Sequence, residues 1–329
     1  MAELRSGSAI GHAMVAHLDA PTNGRAPPWL SDFAWKDGRL EIRKTGIRLT
    51  PNGDVVAEIA AWAVWLAVLW PVALLARLTR DRPLAIWFAP ETPRPWYLIR
   101  AAAMWAGIDV ARTPQAATAA FYFDDVTIGV PESAGPLRGL NYGCADVSKS
   151  HVAAVFEAVF GYPLSVDPMI TAGPIVEKSE KNGVHDGRIV HGPLSPRPGC
   201  VYQKLVDTAD RTGACRDLRT PCAGGMPVLV WIKVKPAGRR FAIQNRRATL
   251  HSPGEVFSPR ELALITQFNA RMGADWGGLD ILRDRHDGRI YIVDVNKTDL
   301  GPLIALSWVD KIRSMGRLSA ALKRLMGHG

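Results

Sequence analysis

The segment that most limits the fold of this chain runs from residue 277 to residue 297. It reads GGLDILRD, then a turn at His286-Asp287-Gly288, and then RIYIVDVNK. The turn and the β-branched runs beside it predict two antiparallel strands joined as a hairpin. Alternate side chains of a strand share a face, so Asp294 and Asn296 project together, and pairing of the strands brings Asp280 near them.

Asp280, Asp294 and Asn296 all offer oxygen atoms to a bound ligand. Mg²⁺ prefers oxygen and often takes one or two protein carboxylates, with water and phosphate in its other positions. The pattern therefore predicts a site for Mg²⁺ or Mn²⁺ at these three residues. The simpler interpretation is a hairpin that merely ends in polar residues.

Gly-x-Asp at 278–280, followed by Asp-x-Asn at 294–296, resembles the metal-binding end of the ATP-grasp family, where the acid is usually glutamate. Asp294 is shorter than glutamate but keeps its charge and oxygen ligands. The resemblance extends over roughly residues 141–310 because further motifs occur in the expected order. It implies an α/β (α+β) fold in which two α+β subdomains grip a nucleotide, preceded by a shortened α/β N-terminal domain.

The composition indicates a folded protein with room for more than one domain. The chain has 329 residues, of which 47% are hydrophobic and 22% charged. Its net charge of +9 comes without zinc-finger spacing, an RNP-type strand or a long basic helix, so we expect no nucleic-acid partner. The four cysteines form no Cys-x-x-Cys pair, which favours reduced thiols, no structural zinc and a cytoplasmic location.

One apolar segment, from residue 59 to residue 76, departs from the pattern of a soluble protein. It carries no charge and is followed by Arg77, Arg80 and Arg82. A bilayer span takes ~20 apolar residues, so the length is near the lower limit. Three interpretations stay open: an anchor at a membrane surface, a true span, or a buried core helix. Attachment to the inner face of the membrane is favoured, because the segment contains tryptophans, which prefer the interface.

The remaining patterns divide the chain into parts. A strand pattern at 84–89, a helix pattern at 96–106 and a strand pattern at 119–126 follow one another, as in a small α/β unit. A polar loop is predicted at 180–192, a strand at 239–245, and a helix from 258 to 272 capped by Ser258 and Glu261. We expect four regions: an N-terminal tail and hairpin (1–57), the apolar helix (58–82), a small α/β domain (83–140) and the ATP-grasp domain (141–329).

The resemblance assigns phosphate binding to cations upstream of the hairpin. Lys149 begins a helix pattern and Lys178 ends an apolar strand, and both match positions where the family places a lysine on the nucleotide phosphates. A lysine is a compact cation suited to phosphate, although surface lysines are common. Arg219 shares a face with Asp217 and would stabilise transferred charge, unless the two form a structural ion pair. Arg246 is a further candidate for contact with substrate or phosphate.

The resemblance also assigns the rest of the nucleotide site. A glycine-containing loop with Ser179, Gly183 and His185 would fold over the phosphates, although a solvated polar turn explains the same residues. The hinge strand that holds adenine would be Val201–Val206, with Gln203, Lys204 and Leu205 beside the base. Any alternating strand would look the same.

The implied activity is ATP-dependent ligation. A small-molecule carboxylate would be phosphorylated by ATP and then joined to an amine through an acylphosphate intermediate, with Arg219, Lys178 and Arg246 as catalytic residues. Thr298 and Gly301 would help to shape the acceptor pocket. Two alternatives stay open, a kinase with the same fold and a catalytically inactive membrane-associated scaffold, and a homodimer is compatible with either enzyme.

Overall fold

The computed structural model describes residues 32–42, 47–50, 52–184, 186–235 and 247–327, and it confirms a mixed α+β fold. The helices are α1 (Gly53–Leu78), α2 (Leu98–Trp105), α3 (Lys149–Phe160), α4 (Pro253–Val256), α5 (Pro259–Met272) and α6 (Trp308–Gly327). The strands are β1 (Phe33–Lys36), β2 (Arg39–Ile42), β3 (Ile47–Leu49), β4 (Ala85–Pro90), β5 (Asp109–Val110), β6 (Ala119–Phe123), β7 (Arg138–Leu140), β8 (Gly173–Ser179), β9 (Arg188–Gly192), β10 (Cys200–Lys204), β11 (Cys215–Ala223), β12 (Met226–Pro227), β13 (Val230–Lys235), β14 (Arg247–His251), β15 (Trp276–Arg283) and β16 (Ile290–Asn296).

A four-stranded parallel sheet with the order β5-β4-β6-β7 forms the α/β unit expected near residues 84–126. β6 is buried along its whole length, as is typical of a parallel strand covered on both faces. The apolar helix α1 packs on α2 beside this sheet. At Gly107 (φ +70°), just after α2, an added Cβ would lie 2.7 Å from the backbone of Ala76, so only glycine permits this approach.

A smaller antiparallel sheet has the order β10-β8-β9. The prediction of a polar loop at 180–192 is wrong in its second half. Arg188–Gly192 forms β9, in which Ile189 pairs with Val176 of β8. The adjacent β-branched residues Ile189 and Val190 favour a strand, and the polar residues around them hid that signal. The true loop is therefore limited to residues 180–187.

The main sheet is antiparallel, with the order β14-β13-β11-β15-β16 and β12 attached to β11. One of its faces packs on α3 and α5 through a shared apolar cluster. The predicted cap of α5 is confirmed, because Oγ of Ser258 accepts a hydrogen bond from the backbone N of Glu261 at 3.3 Å. α6 covers part of the other face, where Trp231 donates to Oγ of Ser314 at 2.9 Å. The strand predicted at 239–245 lies outside the described residues.

The apolar segment 59–76 lies within α1, which continues as a helix through Pro71. Trp65, Leu69 and Ala73 face the protein and are at most 3% exposed. The opposite side of α1 is exposed, so α1 belongs to the core on one side only.

Candidate functional site

The candidate site lies on the face of the main sheet that is opposite α3 and α5. Arg219 of β11 pairs with Asp280 of β15, which in turn pairs with Asp294 of β16. Asn296 pairs with Gly278 on the same two strands. Directly opposed residues share a face of a sheet, so the expected hairpin does place Asp280, Asp294 and Asn296 side by side.

Asp280 is held between two cations. Its Oδ2 accepts a hydrogen bond from Nη1 of Arg219 at 2.7 Å, and its Oδ1 accepts one from Nζ of Lys233 at 2.9 Å. Burial alone would raise the pKa of Asp280, but the charges of Arg219 and Lys233 outweigh it and hold the pKa well below its usual range. Asp280 is therefore a carboxylate at neutral pH, and each of its two oxygens accepts a hydrogen bond from one of these cations.

Arg219 also donates through Nη2 to Oδ1 of Asp299. Asp299 is 4% exposed, and its Oδ2 has no hydrogen-bond partner among the described residues. Burial raises the pKa of Asp299, although the charge of Arg219 opposes this. An added Cβ at Gly278 would collide with Oδ2 of Asp299 and lie 3.0 Å from Nε of Arg219. The glycine therefore makes room for this ion pair.

The alternative of an ion pair between Arg219 and Asp217 is not observed. Oδ2 of Asp217 lies 2.7 Å from Nζ of Lys235 and 3.9 Å from Nζ of Lys233. Arg219 points instead along the row of paired positions toward Asp280 and Asp299. This geometry leaves Arg219 beside the candidate metal ligands.

Lys149 and Lys178 converge on β16 from the other side of the site. Lys149, the first residue of α3, is 6% exposed, and its Nζ donates to Oδ1 of Asp294 at 2.6 Å and to Oδ1 of Asn182 at 2.8 Å. Nζ of Lys178 lies 3.4 Å from the carbonyl oxygen of Val293. Burial lowers the pKa of Lys178 to about 8; Asp294 opposes this shift and Lys149 adds to it. The two lysines thus share one carboxylate neighbour.

The loop after β8 is held by contacts with two other parts of the molecule and by one hydrogen bond of its own. The backbone N of Asn182 donates to Oγ1 of Thr127 in the α/β unit at 2.9 Å, while its side chain contacts Lys149. Oγ of Ser179 accepts a hydrogen bond from the loop backbone at 3.2 Å, and Gly183 adopts a φ of +77°, which favours glycine. His185 lies outside the described residues. The loop therefore lies against Lys149 of the candidate site.

The expected adenine hinge is the strand β10 and the residue after it. Gln203 is 2% exposed, and its Nε2 has no hydrogen-bond partner among the described residues. The side chain of Lys204 donates to the hydroxyl of Tyr291 at 2.8 Å and pairs with Asp284 at 2.9 Å. Burial would lower the pKa of Lys204, but these two partners raise it above its usual value. Leu205 is partly buried.

The two residues expected in the acceptor pocket contact the α/β unit. Oγ1 of Thr298 donates to Oδ1 of Asp125 at 2.6 Å, and the backbone N of Gly301 donates to the carbonyl oxygen of Trp96 at 3.2 Å. Their donors are therefore already used inside the protein.

The structure brings together six of the expected site residues. Arg246 lies outside the described residues, and Gln203, Lys204 and Leu205 lie on or beside β10, in the smaller sheet. The sequence analysis did not predict that Asp299 pairs with Arg219. Its position three residues after Asn296, an expected metal ligand, could have indicated that Asp299 lies close to the site. The residues that do converge are Lys149, Lys178, Arg219, Asp280, Asp294 and Asn296.

The chemistry of these side chains fits a magnesium ion. Across the described ranges, no group of three or more His, Cys, Asp and Glu side chains could hold a metal ion. The expected set instead combines two carboxylates with one amide, and Nδ2 of Asn296 lies 3.5 Å from Oδ2 of Asp280. Mg²⁺ bound with a nucleotide needs only one or two protein carboxylates, so this sparse set is sufficient.

Solved structures similar to this chain are ATP-grasp ligases, the family that the sequence resembles, whereas no family model and no curated relative matches. The ligase PsnB, complexed with a minimal precursor, is 13% identical over 73% of this chain and 99% of its own, with a TM-score of 0.48. The macrocyclase MdnC from Microcystis aeruginosa, bound with the precursor peptide MdnA, is 10% identical over 75% of this chain and 100% of its own, with a TM-score of 0.46. A RimK domain ATP-grasp protein from Sphaerobacter thermophilus is 13% identical over 74% of this chain and 99% of its own, with a TM-score of 0.44. Because these likenesses are distant, the functional argument rests on the residues of the chain itself.

Proposed function

We propose that this protein is an ATP- and Mg²⁺-dependent ligase that joins a carboxylate to an amine. The observation that carries the proposal is the meeting of Lys149, Lys178 and Arg219 with Asp280 and Asp294 on one sheet face. Cations that bind phosphate thus lie beside carboxylates that bind a divalent ion, as phosphoryl transfer requires.

Each side chain has a role that follows from its contacts. Lys149 and Lys178 would bind phosphate oxygens, and the loop around Gly183 would cover them. Arg219, fixed by Asp280 and Asp299, would stabilise charge that develops on the transferred phosphoryl group. Asp280, Asp294 and Asn296 would hold Mg²⁺, which when bound neutralises charge on the phosphates.

The proposed reaction has two steps. A carboxylate oxygen of the donor bonds to the γ-phosphorus of ATP, the bond to the bridging oxygen breaks, and ADP leaves. The nitrogen of the amine then attacks the acyl carbon, the bond to the phosphate oxygen breaks, and the amine loses one proton. The products are an amide, ADP and free phosphate, and no protein nucleophile is needed.

The experiment is a phosphate-release screen with ATP, Mg²⁺ and panels of amino acids, peptides and cell-envelope precursors, followed by mass analysis of the products. Ligation gives free phosphate and an amide for at least one donor and acceptor pair. A phosphorylated hydroxyl without free phosphate identifies a kinase instead. Calorimetry with ATP and Mg²⁺ that gives no heat of binding contradicts both enzymes.

The screen is repeated with Lys178→Ala and with Lys36→Ala. Lys178 lies beside β16, whereas Lys36 is exposed on β1, so only the first substitution should abolish turnover. Equal turnover in the two variants would contradict the assignment of the site.

A further inference from the structure

The outer side of α1 is an unusual surface for a soluble protein. Large apolar side chains are exposed along its last three turns, including Trp70 (61%), Leu74 (59%) and Leu75 (63%). Residues 59–76 include no charge, so nothing polar interrupts this side. A continuous exposed apolar patch of this kind indicates an interaction surface.

The patch continues onto the start of α6. The rings of Trp65 in α1 and Trp308 in α6 have centroids 6.2 Å apart, so the two helices meet there. Trp308, Val309 and Ile312 are exposed in the first turns of α6. We call the exposed side of α1 together with these three residues the apolar face.

Basic side chains lie next to the apolar face. Arg313 and Arg317 are exposed on α6, spaced four residues apart along the helix from Val309. Arg82 is exposed just after the end of α1. The acidic residues next to these arginines in the sequence are the exposed Asp81 and the half-buried Asp310, so the three arginines outnumber them. An apolar surface with tryptophans and flanking cations fits the headgroup region of an anionic bilayer.

The packing contacts of α1 determine which of its sides faces the protein. Leu69 has no exposed surface, and the ring of Trp65 stacks on Trp105 of α2 at 5.9 Å with 8° between the planes. These contacts leave only the opposite side of α1 open to lipid, as in a helix that lies along a membrane surface. The part of α1 from Ile59 to Leu78 is long and apolar enough to cross a membrane, and most of it is not buried in the protein.

We propose that the apolar face binds the surface of an anionic lipid bilayer, with α1 lying in the membrane plane and its Trp65–Leu69–Ala73 side against the protein. The proposal is independent of the proposed ligase activity, because none of its residues belongs to the candidate site. It selects one of the three interpretations of residues 59–76 and specifies which side of the helix meets lipid.

The test is flotation of the full-length protein with neutral vesicles and with vesicles that contain an anionic lipid. The wild type is expected to float with anionic vesicles and to be released by alkaline carbonate, as a surface-bound protein is. Replacing Leu74 and Leu75 by glutamate should lower the bound fraction by about tenfold or more, since two exposed leucines no longer enter lipid. The matched control replaces Val130 and Ile170, exposed apolar residues elsewhere, by glutamate and should still float.

Four results would overturn the proposal: a wild type that stays unbound, flotation unaffected by the Leu74 and Leu75 change, equal binding to neutral vesicles, or resistance to carbonate. Light scattering on the same samples measures the oligomeric state, because a second copy of the chain is the other possible partner of the apolar face. A dimer that dissociates when Leu74 and Leu75 are replaced would assign the apolar face to a second copy of the chain. The single variant Leu75→Glu serves the same purpose if the double variant does not fold.

Discussion

The two halves of the candidate site use the same kind of charge pair in different ways. Arg219, Lys233 and Asp280 all belong to the main sheet, and Asp299 follows its last strand. Lys149 comes instead from the start of α3, and its contacts link Asp294 of the sheet to Asn182 in the loop after β8. The first arrangement is built into one rigid layer, while the second depends on the position of that loop. We infer that the first half contributes more to the stability of the fold than the second half does, in addition to the roles proposed above for Arg219 and Asp280.

The strongest test of this comparison is Arg219→Met. The change leaves Asp299, which is 4% exposed, without its cation and removes one of two cations from Asp280. Breaking a buried ion pair by removing one partner costs about 3–5 kcal/mol, so urea unfolding should show a loss of that size. The control Arg216→Met removes an exposed pair on the same strand and should cost ~1 kcal/mol or less. Equal losses in both variants would contradict the inference.

Asp294→Asn should separate function from stability. The change removes the charge next to Lys149, but Lys149 keeps the hydrogen bond to Asn182. We expect ATP turnover to fall by about 10²–10³-fold, as when one charged group of a catalytic site is lost. The free energy of unfolding should fall by only ~1–2 kcal/mol. Turnover by phosphate release and urea unfolding check the two parts, with the exposed Asp81→Asn as control. Wild-type turnover would remove Asp294 from the site.

The pH dependence of nucleotide binding should report on Lys178. Because its pKa is lowered to about 8, from ~10.4 for a free lysine, the ammonium form is lost as pH rises through that value. ATP affinity measured by calorimetry should therefore weaken across pH 8 and stay level in Lys178→Arg, which keeps its charge. The sign for stability is opposite. The unfolded chain binds more protons than the folded one between the two pKa values, so the free energy of unfolding contributed by Lys178 rises with pH there.

The smallest expected effect belongs to Asn182→Ala. The variant removes one acceptor from Lys149 but keeps the backbone hydrogen bond to Thr127. A single hydrogen bond contributes about 0.5–1.5 kcal/mol, so stability should change little and hydrogen exchange should quicken in residues 180–187. A loss as large as that of Arg219→Met would mean that the loop is part of the rigid half, and the comparison between the halves would fail.

The sequence predicted best where a local pattern determines the structure. The hairpin of β15 and β16 and the cap at Ser258 each combine a turn or cap residue with a strong periodic pattern. β9 was missed because its two β-branched residues lie among polar ones. Partners of charged groups were the least predictable. Arg219 forms ion pairs with Asp280 and Asp299 and not with Asp217. These partners are determined by the register of three strands and by the path of the chain after β16.

The sequence also did not predict which side of α1 faces the protein. Its residues are apolar on every side, so hydropathy predicts burial or lipid contact but cannot say which side receives which. The stacking of Trp65 on Trp105 settles that point through a contact between distant parts of the chain.

Gly278 has a consequence for how this protein can evolve. A side chain at that position would collide with Asp299, so the chain can accept an alanine there only if Asp299 or Arg219 is replaced as well. The constraint therefore runs in one direction. Natural descendants that retain the arginine and the aspartate must retain the glycine, whereas a lineage that first loses the aspartate or the arginine becomes free to place a side chain at position 278.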